Sequence, residues 1–144
     1  MSQKFCEKKL KKPCGECPFT RVNGLSKPYP GNNKPEVYLG QARGPFWLPC
    51  HCDKNYAEKE SNPATVTECA GASIFRANTG PRYKLPAELL ALEADHDLVF
   101  SNEAQFFAHY YGITEEHAQS LLTEQTLDQL MKKEMSDINL KTYD

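Results

Sequence analysis

The chain has 144 residues, enough for one hydrophobic core but short for two, and it carries ten prolines, eight glycines and six cysteines. Seventeen Lys and Arg against nineteen Asp and Glu leave a net charge of -2, a balance that gives no pointer to a nucleic-acid or membrane partner. The charge is unevenly distributed: residues 1–84 hold fourteen basic and seven acidic side chains, residues 85–144 three and twelve.

The opening stretch "MSQKFCEKKLKK" lacks the apolar run of a secretory signal, and no segment approaches the roughly 18 apolar residues of a membrane span. A cytoplasmic location is therefore expected. Thiols stay reduced there, so the cysteines are read as metal ligands or redox groups before disulfides. From Pro13 to Gly44 the motifs "KPYPGNN" and "GQARGPFW" supply turns and short extended pieces without a sustained helical period. Such a loop-rich region buries little apolar surface and needs a staple. Residues 65–77 predict a short helix beginning after Thr67, with Cys69 in its first turn, "NTGP" ending it, and Val66, Ile74 and Phe75 turned to the core.

The remainder predicts helices. "LPAELLALEA" has Pro86 in a tolerated first turn, with Leu85, Leu89 and Leu92 at helical spacing. "SNEAQFFAHYYG" starts at a Ser101 cap and stops at Gly112, "TEEHAQSLL" starts at Thr114, and a last helix runs through "LDQLMKKEM". The expected fold is a small α+β unit spanning 1–144: a loop-rich, metal-stapled part over 13–84, then a mainly α-helical acidic part over 85–144.

Four cysteines form the chemical core of the reading: Cys14 and Cys17 in "PCGECPF", Cys50 in "LPCHC" and Cys69 in "ECAGA". The CxxC spacing lets two thiolates face one ion, and the wide later gaps are tolerable because loop-closure entropy grows only logarithmically with length. The one-residue step from Cys50 to Cys52 departs from a paired zinc ribbon. Pro18 directly after Cys17 suits a cubane, and the small residues of "CAGA" let backbone amides approach its sulfurs. The first choice is accordingly a [4Fe-4S] cluster on Cys14, Cys17, Cys50 and Cys69, and the second a Zn2+ ion, with His51 and Cys52 as alternate ligands. Cys6 is read as a small buried hydrophobe. Lys9, Lys11, Lys12 and Arg21 are available to offset the negative charge of four thiolates around either centre.

Competing chemistries are weaker. A thioredoxin-type CxxC opens a helix after a strand, which Pro18 and the turns after it do not favour. Cys50 and His51 are adjacent in sequence, poor geometry for a nucleophile and its base. No GxSxG, HExxH, Walker loop or GxGxxG is present. "AHYYGITEEHAQSLL" has helix-turn-helix rhythm, but Glu115, Glu116, Glu124 and Asp128 precede the first basic residue, Lys132, and would repel phosphates. It is read as a plain helical hairpin. Phe106, Phe107, Tyr110 and Tyr111, with Phe46 and Trp47, are read as packing residues, and His96, His109 and His117 as surface or partly packed histidines.

Taken in order, "PCGECPF", "LPCHC" and "ECAGA" resemble a poorly characterised family of small bacterial and bacteriophage domains that share a CxxCP pair, a later CH and a CAG-type motif. The resemblance covers roughly residues 13–76. It implies a bacterial or phage origin and one shared site for Cys14, Cys17, Cys50 or His51, and Cys69. The function expected first is a non-enzymatic, metal-organised accessory or regulatory protein that binds another protein, a host regulatory factor being one candidate. An iron-sulfur redox or sensor protein is the alternative, followed by a nucleic-acid-binding regulator.

Overall fold

The computed structural model describes residues 13, 17–21, 33–50, 52–59, 61–80 and 92–136. Among the described residues five helices follow one another: α1 (Pro35–Arg43), α2 (Ala70–Thr79), α3 (Glu103–Tyr111), α4 (Glu115–Leu121) and α5 (Glu124–Met135), with short 3-10 turns at Tyr56–Glu58 and Pro63–Thr65. The described residues contain two isolated antiparallel bridges, Thr20 with Val99 and Pro49 with Glu68, and no strand. The described part is thus mostly helical, and the sheet half of the α+β expectation is not seen in it.

Helix boundaries follow capping chemistry. The Asn102, Thr114 and Thr123 side chains accept from the backbone N–H groups of Gln105, His117 and Thr126, starting α3, α4 and α5. Gly112, at φ 65°, closes α3 in the left-handed conformation that glycine adopts without strain. The α3 cap is therefore Asn102 rather than Ser101. Helix α2 begins one residue after Cys69, which is its N-cap and not part of its first turn.

Helix α1 lies inside the segment expected to be all loop. Pro35 fills its first position, where no N–H is needed, and Gly44 returns its N–H to Gly40 and Gln41. The expected helix over 85–94 falls mostly outside the described residues, and residues 92–95 are not helical.

The core is aromatic and draws on both halves of the chain. Phe19 stacks on Phe75 at 5.2 Å and on Phe106 at 5.3 Å, and Phe106 meets Tyr110 at 5.0 Å. Leu39, Val66, Ile74, Val99 and Phe100 are buried with them, each such side chain contributing about 1.5–3 kcal/mol. Tyr110 reaches back to donate its hydroxyl to the Pro18 carbonyl at 2.6 Å. Phe46 and Trp47 are buried, while His96, His109 and His117 are exposed.

Helix α5 packs on α1. A Cβ on Gly40 would stand 2.7 Å from the Leu130 carbonyl oxygen, so the missing side chain sets how closely the helices approach. Gln41 donates to Glu134 at 3.1 Å, and Arg43 to Glu124 at 2.6 Å and Asp128 at 2.9 Å. On the other side of α1, the buried Arg76 of α2 donates to the carbonyls of Gln41, Ala42, Gly44 and Phe46. One arginine thereby ties together carbonyls of the last turn of α1 and of the segment that follows it.

Candidate metal centre

Cys69 stands at a joint. Its N–H donates to the Leu48 carbonyl at 2.7 Å, and the Cys50 N–H donates to the Thr67 carbonyl at 2.8 Å, on either side of the Pro49–Glu68 bridge. In this register Cys50 faces Thr67 across the ladder. Cys50 and Cys69 are thus diagonal neighbours on one face.

A clamp holds the turn beyond Cys50. Asp53 accepts from the Asn55 N–H at 2.8 Å with one oxygen, and with the other from the Thr67 N–H at 3.0 Å and hydroxyl at 2.8 Å. The Thr67 N–H, foremost among these donors, holds the Asp53 carboxyl below the usual aspartate range. The Asp53 N–H returns to the Cys50 carbonyl at 3.0 Å. This tight turn carries Cys52, which is exposed. Asn55 adds a bond to the Thr65 carbonyl at 3.1 Å, so the segment after Cys50 is fastened to the one before Cys69.

The third cysteine arrives from the beginning of the chain. Residues 17–21 are held by the Thr20–Val99 bridge, with the Phe100 N–H on the Phe19 carbonyl and the Arg21 N–H on the Leu98 carbonyl. The Arg21 guanidinium docks on the His96 carbonyl, Ser101 and Gln105 and lies over the Phe100 ring. It is committed to the 96–105 segment rather than offsetting charge at the cysteines. So anchored, Cys17 places its Sγ 3.6 Å from the Cys69 Sγ, with the two residues 1% and 7% exposed. Cys50 is buried as well, 4% exposed.

The seat for Cys17 is carved by Gly71. A Cβ at that position would lie 2.1 Å from the Cys17 Sγ, so any side chain there excludes the sulfur from the first turn of α2. The hydrogen bond with Cys17, foremost, and those from the backbone N–H groups of Ala72 and Gly71 pull the Cys69 thiol below its ordinary pKa against its burial. An anion is favoured at a helix N-terminus for the same reason.

The pair is not a disulfide, whose sulfurs stand about 2.05 Å apart. Two thiolates bound at about 2.3 Å to one tetrahedral ion are separated by about 3.8 Å. The observed 3.6 Å is close to that separation. Among the described residues, no group of three His, Cys, Asp or Glu side chains converges as a metal site. Of the residues expected to share the site, Cys17 and Cys69 are brought together, Cys50 is carried alongside by the ladder, and Cys14 and His51 lie outside the described residues.

Gly71, Asp53 and the buried pair Arg76 and Glu68, 3.8 Å apart and each 1% exposed, were not singled out from the sequence. Only for Gly71 did the small-residue motif hold a signal. A hollow lined by Leu39, Ala42, Arg43, Phe75, Thr79, Gly80 and Glu103 has about 10 Å³ of space, room for a single water and not for an organic substrate. Among the described residues no helix is long and apolar enough to cross a membrane. Comparison with family models, with curated proteins and with solved structures finds no match for the chain.

Proposed function

We propose that this is a metal-organised protein without catalytic activity of its own, in which Cys17 and Cys69, joined by Cys14 and Cys50, hold one zinc-class ion and thereby fix a surface used to bind another protein. The observation that carries the reading is the buried Cys17–Cys69 sulfur contact at 3.6 Å on the first turn of α2. It links segments 52 residues apart, as a staple for a loop-rich region must. In zinc-finger peptides such an ion supplies about 10–16 kcal/mol of folding energy at neutral pH.

A [4Fe-4S] cluster is the second reading, favoured by Pro18 following Cys17. Each thiolate of a cubane takes a different iron, which holds the sulfurs well beyond contact. The short separation therefore favours a mononuclear ion. The acidic, exposed Glu115 and Glu116 of α4 favour a basic protein surface over nucleic acid as partner, and a host regulatory factor in a bacterial cytoplasm remains within this reading.

Metal analysis after anaerobic purification tests it. The expected result is a colourless protein with one zinc per chain, lost in Cys14→Ser, Cys17→Ser, Cys50→Ser and Cys69→Ser and kept in Cys6→Ser. Equal metal content in all five variants would refute the ligand set, and a brown protein containing iron and sulfide would replace the ion with the cluster.

A further inference from the structure

We infer that Cys17 and Cys69 are a peroxide-responsive dithiol whose closure to a disulfide expels the bound ion. The inference rests on the proposed metal site and adds its regulation. These two sulfurs are in van der Waals contact at 3.6 Å, so bond formation requires them to approach by only about 1.5 Å. The Gly71 seat keeps the space between Cys17 and the helix clear of side chain. The two sulfurs come from segments 52 residues apart and meet at the start of α2.

Cys69, the more exposed of the two, attacks hydrogen peroxide: its S–O bond forms, the O–O bond breaks, and hydroxide leaves. The Cys17 thiolate then attacks the Cys69 sulfur, the S–O bond breaks, and a second hydroxide leaves with the S–S bond formed. Two thiolates and one peroxide give one disulfide and two hydroxides, and the two electrons lost by sulfur are those gained by the peroxide oxygens. With the two sulfurs bonded to each other, neither would remain a thiolate able to hold an ion, and the ion would be released.

The test uses the full native chain, reduced and metal-counted under anaerobic conditions, then treated with stoichiometric hydrogen peroxide. Zinc release is followed with a chromogenic chelator, and the new bond is located by peptide mass mapping. The expected result is one zinc released per Cys17–Cys69 disulfide, with rebinding after dithiothreitol and added zinc. A disulfide between other cysteines, or sulfinic acid at Cys69 without a bond, overturns the switch even if the protein began with zinc. A chain without metal before peroxide overturns the coordination and the release with it, whichever bond forms. Because the wild-type protein carries every readout, failure of a cysteine variant to fold does not affect the outcome.

Discussion

At Gly71 one hydrogen in place of a methyl group decides whether two sulfurs can share the end of a helix. Gly71→Ala would put a carbon 2.1 Å from the Cys17 Sγ, and the expected outcome is loss of bound metal together with about 1–3 kcal/mol of overpacking destabilisation. Gly112→Ala is the contrast. Its Cβ meets nothing within 4 Å, but φ is 65°, so it should cost roughly 1–2 kcal/mol of backbone strain in chemical denaturation and leave metal content unchanged. Arg76 is the second decisive residue, since it binds four carbonyls at the end of α1 and lies 3.8 Å from buried Glu68. Arg76→Met should destabilise by about 3–5 kcal/mol because a buried carboxylate loses its cation. Adding Glu68→Gln should recover part of that loss, a coupling that a double-mutant cycle measures.

Among elements, α1 and α5 depend on each other. Gly40→Ala would drive a methyl group to 2.7 Å from the Leu130 carbonyl, and the expected result is faster amide exchange along α5 with α2 little changed. The sequence carried the cap of α4 and the stop at Gly112 plainly, because these are local chemistry within a few residues, whereas the Thr123 cap of α5 was not singled out. Helix α1 was not legible, for three physical reasons. Gly40 interrupts its apolar period. Its prolines and glycines read as turns although Pro35 and Gly44 mark its two ends. Its buried Gln41 and Arg43 find their partners 81 to 93 residues away. The cysteine site was partly legible for the opposite reason, since CxxC and CAG are local motifs, whereas Asp53 and Arg76 act through contacts that no spacing announces.

At the scale of the molecule, the basic and acidic halves interlock: Phe19 packs on Phe106, Arg43 pairs with Glu124 and Asp128, and Arg21 docks on residues 96–105. The sequence division at residue 84 therefore marks a change of charge and not a boundary of the core. The clamp at Asp53 gives one acid-sensitive fastening. Its folded-state carboxyl titrates below the unfolded value, so its stabilisation is present above the unfolded aspartate range and is lost as pH falls through the lower folded value. Asp53→Asn should be less stable at neutral pH and should lack that part of the acid-induced loss in equilibrium unfolding. The proposed function holds that sulfur from distant segments gathers around a single ion at the start of α2. X-ray absorption at the metal edge of the anaerobically purified chain tests it most directly. The expected result is a zinc edge with a single shell of four sulfurs near 2.3 Å; a chain that holds no metal, or an ion without a sulfur shell, overturns it.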